Sequence, residues 1–357
     1  MTRPAQTEIR PDYKVSSVIK GGWQLAGDHG SVEQQRAIDD MLVFYDAGIT
    51  TFDCADIYTG VEEMLGQFRQ RLHNERGSES TKQIRIHTKY VPDIAQLATL
   101  NQQDVESIID RSLQRLQQEQ LDLVQFHWWD YETPGLLDAI MYLDELRRSG
   151  KIKHIGITNF DAEHLEILCN HVDVASAQIQ FSLLDRRAEQ QFTAVAANHN
   201  VHLFCYGVLA GGFLTDHWLN QTDPGMEFEN RSLVKYRLII EEFGGWELFQ
   251  QLLQVLRAVA DRHKVDISSI AIGQMLNHPA VTSTIVGARY AHRLPHTLRA
   301  IRLKLSEQDK AEIATITDQA KGPLGTVFGL ERDTTGRHGR IMKYNLNSGD
   351  SRQMRQR

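Results

Sequence analysis

One short stretch of the sequence carries two carboxylates and a phenol within a few residues of one another. Residues 51–58 read Thr-Phe-Asp-Cys-Ala-Asp-Ile-Tyr, so Asp53, Asp56 and Tyr58 directly follow a β-branched and aromatic run that predicts a strand. Carboxyl and phenol groups can transfer protons, and α/β barrels place such groups at the carboxyl ends of their strands. The alternative, for this turn taken alone, is that Asp53 caps the turn and Tyr58 is a half-buried surface aromatic.

Polar side chains follow several other predicted strands at corresponding positions. They are Lys89, His127, Thr158, Asn159, Gln180 and Tyr206. Each has an ordinary structural explanation, such as a solvated loop lysine, a hydrogen-bonded histidine or a helix cap. Their recurrence at the ends of successive strands is not expected by chance. We therefore interpret them, together with Asp53 and Tyr58, as parts of one site.

The elements that must position these residues alternate between strand and helix patterns about eight times along the chain. Apolar runs such as residues 121–129 and 152–158 are each followed by helical periodicity. This alternation predicts a parallel sheet with helical crossovers, and eight such units predict an α/β fold of the (β/α)8 TIM barrel type. The alternative is a doubly wound open sheet, which usually carries G-x-G-x-x-G after its first strand. That motif is absent there.

We expect a single barrel domain over residues 13–320, with an N-terminal arm (1–12) before it and a C-terminal tail (321–357) after it. The tail contains too many helix breakers to be helical, among them Gly322, Pro323, Gly325 and Gly329. It is either a lid over the active site or a disordered surface tail with basic residues. The sequence leaves both possibilities open.

Composition and charge argue against several classes of protein. A hydrophobic content of 41% and a charged content of 24% indicate a packed core rather than a disordered chain. The net charge of −7 comes without a basic stripe, so we expect no nucleic-acid binding; no apolar run is long enough to span a membrane. Three scattered cysteines and the absence of a secretory signal indicate a cytoplasmic protein. Neither CxxC nor HExxH occurs, so no metal site is predicted.

Taken together, these segments resemble the aldo-keto reductases, which are NAD(P)H-dependent carbonyl reductases built on a (β/α)8 barrel. The resemblance extends over roughly residues 15–320 and follows the order of the family's motifs. The matching segments are residues 51–58, 87–89, 121–127, 150–160, 178–182 and 285–289.

The resemblance implies catalytic roles for four residues. Hydride delivered to a carbonyl carbon leaves an alkoxide, which must be protonated as it forms, and a tyrosine with a pKa near 10 is a weak acid for this purpose. Tyr58 would be the general acid, and the ammonium group of Lys89 would lower its pKa. Asp53 would hold Lys89 in place. His127 would orient the carbonyl oxygen by hydrogen bonding.

The resemblance also implies a nicotinamide cofactor, with NADP(H) favoured and NAD(H) possible. Asn159 and Gln180 would bind the carboxamide, and Tyr206 would stack on the nicotinamide ring. Backbone groups near the pyrophosphate would come from Gly207, Leu209 and Gly211, and contacts to the adenosine 2′-phosphate from Gly287, Arg289 and Arg293. The chain departs from the family at two points. His296-Thr297 stands where many members have Glu-Asn, and Gly207-Val208 replaces Ser-Pro.

In this family, aromatic residues and the C-terminal segment wall the substrate pocket, which here would involve Trp23, Trp128, Trp129 and the tail. The expected partner is a small carbonyl or alcohol substrate, such as an aldehyde, ketone or sugar, and the expected assembly is a monomer or small homo-oligomer. The alternative function is that of a potassium-channel β-subunit, a regulatory module that shares the fold and the cofactor site but has little turnover. A metal-dependent barrel hydrolase would need several metal ligands at the strand ends, and His127 alone does not meet this requirement.

Overall fold

Eight parallel strands close into a barrel in the computed structural model, which describes residues 4–26 and 30–347. The barrel order is β10-β3-β4-β5-β6-β7-β8-β9, so the neighbours in space are neighbours in sequence. The predicted (β/α)8 TIM barrel is therefore confirmed. The barrel strands are β3 (Val18–Gly21), β4 (Thr51–Asp53), β5 (Arg85–Tyr90), β6 (Leu121–Phe126), β7 (Ile152–Thr158), β8 (Val174–Gln180), β9 (His202–Tyr206) and β10 (Val281–Gly287).

Helices surround the barrel and follow the strands as the periodicity predicts. Asp161 caps the N-terminus of α6, where its side chain accepts a hydrogen bond from the backbone N–H of His164. The helices are α1 (Gln34–Asp46), α2 (Val61–Arg76), α3 (Ser78–Thr81), α4 (Gln102–Leu116), α5 (Leu136–Arg148), α6 (Ala162–Cys169), α7 (Phe192–Asn198), α8 (Arg231–Phe243), α9 (Gly245–His263), α10 (Ile267–Leu276), α11 (Leu294–Arg302), α12 (Glu307–Thr317) and α13 (Gly329–Arg332). Within the described ranges, no helix combines the length and apolarity needed to cross a bilayer.

Alternation along each strand sends one set of side chains into the barrel and the other set towards the helices. In β6, Leu123 packs in a cluster inside the barrel, and Gln125 bonds to a side chain there. Val124 and Phe126 belong instead to the large core between strands and helices. The inward parity of β6 continues to His127, which directly follows the strand.

An antiparallel hairpin closes the end of the barrel where the strands begin. It consists of β1 (Gln6–Arg10) and β2 (Tyr13–Ser16), and it packs Ile9, Tyr13 and Val15 against interior residues such as Phe204. The chain leaves the hairpin at Ser17 and starts the first barrel strand, β3, at Val18. The boundary expected at residue 12 lies in the turn of this hairpin.

The opposite end of the barrel, called the mouth below, is where the strands end. Two long segments lie over it: α8, which follows β9, and residues 328–347 of the tail. No helix was expected at α8, because residues 207–230 before it are polar and glycine-rich. Its buried face was nevertheless visible as apolar spacing through Leu238, Ile239 and Phe243.

Candidate active site

A buried ion pair lies at the mouth, between the ends of β4 and β5. The Nζ atom of Lys89 is 2.9 Å from Oδ1 and 2.8 Å from Oδ2 of Asp53, and it is 2.7 Å from the carbonyl oxygen of Cys54. Each side chain of the pair is 5% exposed. The structure thus brings together Asp53 and Lys89, which the sequence placed at separate strand ends. Hydrogen bonds to Asp53 and to the Cys54 carbonyl hold the ammonium group in place.

Two glutamines that sequence reasoning missed complete this cluster. The Nε2 atoms of Gln125 and Gln178 lie 3.0 Å and 2.7 Å from Oδ1 of Asp53. Asp53 therefore accepts hydrogen bonds from an ammonium and two amides, which together stabilise a buried carboxylate. Both glutamines could have been found in the sequence, because each is a polar residue at an inward position of a largely apolar strand. Burial is the largest single influence on Lys89 and acts to lower its pKa, but Asp53, Tyr58 and Cys54 together outweigh it and raise the pKa, so the lysine stays charged.

Tyr58 is half-buried beside this pair. The Nζ atom of Lys89 is 5.1 Å from the centroid of its ring, and the ring of Trp23 lies 4.9 Å away. Burial raises the pKa of Tyr58 to about 12, while the positive charge of Lys89 acts in the opposite direction. The sequence suggested that Lys89 lowers this pKa, but burial is the larger effect. Tyr58 is therefore a neutral hydrogen-bond donor at neutral pH.

His127 points into the barrel mouth from the end of β6 and is almost completely buried. Its Nδ1 atom is 3.0 Å from the carbonyl oxygen of Thr158. Its ring is nearly perpendicular to those of Trp129 and Phe328, whose centroids lie 4.3 Å and 5.7 Å away. Burial, with a further effect of the Arg332 guanidinium, lowers the pKa of His127 to about 3, so the imidazole is neutral.

The three residues expected at the nicotinamide lie together across β7, β8 and β9. The hydroxyl of Tyr206 donates to Oδ1 of Asn159 at 2.8 Å, and Gln180 pairs with Tyr206 in the sheet register. Gln180 donates its amide to Asp185 at 2.7 Å. Its Oε1 atom is buried and lacks a hydrogen-bond partner among the residues that the structure describes. An acceptor is therefore left for an amide N–H group.

The glycine-rich segment after β9 packs closely against α8. Gly207 and Gly211 have φ angles of 76° and 66°, in the left-handed region. A Cβ atom added at either position would come within 2.7 Å of the side chain of Tyr236. These glycines therefore make room for an aromatic ring, with Leu209 between them in the same loop.

Residues expected at the adenosine end gather around the end of β10. Gly287 lies against the side chain of Gln24, which a Cβ atom would meet at 2.3 Å. The guanidinium of Arg36, from α1, lies 4.2 Å from the ring centroid of Tyr290. Arg289 follows β10 by two residues, and Arg293 lies in the turn that leads into α11.

The two adjacent tryptophans have different surroundings. Trp129 packs against His127 and against Tyr344 of the tail, with ring centroids 5.0 Å apart in the second pair. Trp128 is fully buried in the core beside Phe126 and donates its indole N–H to Thr133. The structure thus brings Trp129, but not Trp128, to the cluster around His127.

The tail is tied to the mouth by several polar contacts. The guanidinium of Arg332 donates to the carbonyl oxygen of Trp128, to that of Trp129 at 2.8 Å and to that of Asn159 at 2.7 Å. Further along, the amide of Asn347 donates to Asp56 at 3.0 Å, in the same turn that carries Tyr58. The tail therefore crosses the mouth from the β6 and β7 side to the β4 side. The last ten residues, with Arg352, Arg355 and Arg357, lie outside the described part.

Comparison with known proteins places this architecture in a family. The model of the aldo/keto reductase family matches residues 17–318. The chain therefore belongs to the aldo/keto reductase family, whose members are oxidoreductases.

Individual relatives are distant but cover most of the chain. The NADH-specific methylglyoxal reductase of Escherichia coli (strain K12) is 24% identical over 312 residues, which cover 84% of this chain and 93% of the relative. An aryl-alcohol dehydrogenase of Pestalotiopsis microspora is 27% identical over 327 residues, covering 87% and 79%. Among solved structures, a glycerol dehydrogenase from Gluconobacter oxydans matches with a TM-score of 0.72 at 21% identity, covering 88% and 95% of the two chains. This last likeness supports the fold alone.

Proposed function

We propose that the protein is an NAD(P)H-dependent oxidoreductase that reduces an aldehyde or ketone to an alcohol, or catalyses the reverse oxidation. The observation that carries the proposal is the buried Asp53–Lys89 pair beside the phenol of Tyr58. A half-buried phenol next to a fixed ammonium group is suited to giving a proton to an oxygen on which negative charge develops.

The residues of the cluster have different roles in proton transfer. Tyr58 donates its proton to the substrate oxygen and is left as a phenolate. Lys89 stabilises that phenolate, and Asp53, held by Gln125 and Gln178, keeps Lys89 charged and in place. A positioned acid of this kind contributes about 10²–10⁴-fold to the rate. A bound nicotinamide cofactor supplies the hydride.

The residues around Gln180 fit a nicotinamide. Its unpartnered Oε1 atom is an acceptor for the carboxamide N–H, and Asn159 and Tyr206 flank it. Arginines at the other end of the site suit a 2′-phosphate, so we favour NADP(H). We keep NAD(H) as the alternative because the E. coli relative is named NADH-specific.

The substrate would be a small carbonyl or alcohol compound bound between aromatic walls. Trp23 packs beside Tyr58, and Trp129 packs beside His127. From the tail, Phe328 covers His127 and Tyr344 covers Trp129. We propose that the tail acts as a lid and leave Trp128 out of the pocket. We further propose a cytoplasmic monomer or small homo-oligomer.

The test is the change of nicotinamide absorbance with NADPH and with NADH, over a panel of aldehydes and ketones. Tyr58→Phe should lower kcat by about 10²–10⁴-fold and leave the cofactor Kd unchanged. Tyr45→Phe is the matched control, because its hydroxyl contacts Gln83 at the surface. A Tyr58→Phe variant within tenfold of the wild type would refute the role of Tyr58. A wild type that binds neither cofactor would refute the function itself.

A further inference from the structure

The side chain of Asn347, at the end of the described part of the tail, is held in a pocket that residues from the first half of the chain build. Its Nδ2 atom donates to Oδ2 of Asp56 at 3.0 Å and to the carbonyl oxygen of Val91 at 2.7 Å. Its Oδ1 atom accepts from the guanidinium of Arg111. The backbone N–H of the same residue donates to Oδ1 of Asp93 at 2.8 Å. We call Asp56, Val91, Asp93 and Arg111 the amide pocket.

The amide pocket matches a primary amide in every polar group. Such an amide has two N–H donors and one carbonyl acceptor, and in Asn347 the donors meet two oxygen acceptors while the acceptor meets a guanidinium. A carboxylate of the same size would bring an oxygen against the carboxylate of Asp56 and the carbonyl oxygen of Val91. A leucine would remove partners from buried polar groups, which is unfavourable. The tail is therefore bound at this point by recognition of one side chain.

Asp56 connects the amide pocket to the turn that carries Tyr58. Asp56 is almost completely buried, and its Oδ1 atom accepts from the backbone N–H of Ile57 at 2.9 Å. The N–H of Tyr58 then closes the turn onto the carbonyl oxygen of Ala55 at 3.0 Å. Burial raises the pKa of Asp56 to about 7, and the hydrogen bond from Asn347 is the largest influence in the opposite direction. The tail amide thus stabilises the charged form of a carboxylate that belongs to this turn.

The same segment of the tail also takes part in covering the mouth. The ring of Tyr344 packs against Trp129, and the carbonyl oxygen of Tyr344 accepts from the N–H of Ile94 at 2.9 Å. Asn347 follows within one short stretch of chain. Docking of Asn347 and covering of the mouth are therefore parts of one event.

We propose that Asn347 is a positioning residue, which couples closure of the tail over the mouth to the placement of the Tyr58 phenol beside Lys89. This inference rests on the proposed function, because it gives Asn347 a role in the proton transfer from Tyr58. With the tail docked, the amide holds the carboxylate of Asp56 and the turn is fixed. With the tail released, Asp56 loses this partner and the turn gains freedom. Proton transfer is thereby confined to the closed form, in which the mouth is shielded from water.

Steady-state kinetics of the full-length enzyme with its reduced cofactor test the inference in Asn347→Asp and Asn347→Leu. Both variants lose the donors to Asp56, and loss of a hydrogen bond to a charged group should lower kcat by about tenfold to a hundredfold. The cofactor Kd should be unchanged, and KM should change less than kcat. A kcat for Asn347→Asp within about twofold of the wild type would overturn the inference. A rise in KM alone would also overturn it, since the tail would then act only on access to the mouth.

Asn345→Leu is the matched control for these variants. Asn345 is an exposed asparagine of the same tail segment, and its Oδ1 atom accepts from the backbone N–H of Ala95 at 3.1 Å. Its replacement should leave kcat within about twofold of the wild type, as is usual for a surface position. A fall in kcat as large as that of Asn347→Leu would show that any disturbance of the tail has this effect, and it would contradict the specific role of Asn347.

Chemical rescue separates the amide group from a general loss of packing. Asn347→Gly removes a group that corresponds to acetamide, so acetamide added to this variant should restore a large part of kcat. Acetate at the same concentration should not, because its charge opposes those of Asp56 and Asp93. Recovery with acetate as well, or with neither compound, would contradict the role of the amide pocket.

A third measurement does not depend on turnover. Hydrogen exchange of residues 54–58, followed by mass spectrometry, should be faster in Asn347→Leu than in the wild type and in Asn345→Leu. If exchange became faster over the tail and stayed unchanged over residues 54–58, the tail and the turn would not be coupled, and the inference would be wrong. A wild type that shows the coupling but reduces no carbonyl compound would count against the proposed function and leave the coupling intact.

Discussion

Replacing Lys89 by methionine should separate the two roles of the buried ion pair, in stability and in catalysis. The substitution leaves the Asp53 carboxylate 5% exposed without its ammonium partner. Breaking a buried pair from one side costs about 3–5 kcal/mol. Two amide donors, from Gln125 and Gln178, remain on Oδ1, so we expect a loss of about 3 kcal/mol, at the lower end of this range.

The double variant Asp53→Asn/Lys89→Met removes the orphaned charge as well. An asparagine oxygen can still accept from Gln125 and Gln178, so most of the lost free energy of unfolding should return. Catalysis should not return, because the phenolate of Tyr58 would have no positive charge beside it. We expect kcat to stay about 10²–10⁴-fold below the wild type in both variants.

Urea unfolding and steady-state kinetics on the same preparations check this prediction. Lys82→Met is the control, because Lys82 pairs with Glu79 at 2.6 Å on the exposed surface, where solvent screens the interaction. Its effect on unfolding should be much smaller than that of Lys89→Met. If the double variant were no more stable than Lys89→Met, the argument that the lysine neutralises a buried carboxylate would be wrong.

Three further predictions concern the phenol, the tail and the glycine-rich loop. With a pKa of about 12, Tyr58 stays protonated, so the rate of reduction should not fall between about pH 6 and about pH 9. The reverse oxidation needs the phenolate, so its rate should rise about tenfold per pH unit over the same range. Stopped-flow assays measure both rates. Arg332→Met removes three hydrogen bonds to backbone carbonyls; it should raise KM and speed hydrogen exchange over residues 328–347, unlike the exposed Arg340→Met. Gly211→Ala should lower the melting temperature more than Gly225→Ala, because both have positive φ but only the first places its Cβ atom against a neighbouring ring.

The sequence was sufficient for the residues whose position in the fold follows from the strand pattern. Asp53 and Lys89 end neighbouring strands, and in a parallel barrel the ends of neighbouring strands meet, so their contact could be foreseen. The alternation of side chains along β6 also predicts the directions of His127 and Trp128. Since Leu123 and Gln125 face inward, His127 does too, and Trp128 must then face the helices.

Other residues carry no local signal of their role. Arg332 contacts carbonyl oxygens of residues that precede it by more than 170 positions, and nothing near it in the sequence indicates where the tail lies. The pKa of Tyr58 is a similar case. The resemblance to the family implied Lys89 as its neighbour, but the sign of the shift depends on burial by Trp23 and the elements over the mouth, which only the folded chain determines.

The covering of the mouth also depends on charges that the strand pattern does not reveal. Glu331 of the tail is fully buried and lies 3.3 Å from Arg187 and 3.6 Å from Lys235 of α8. Burial opposes its ionisation, but Lys235 and Arg187 lower the pKa of Glu331 to about 2. Arg187 also binds Asp185, which accepts the amide of Gln180. The orientation of Gln180, and so the acceptor that we propose it presents to a cofactor, is therefore coupled through one buried charge network to the tail that covers the mouth.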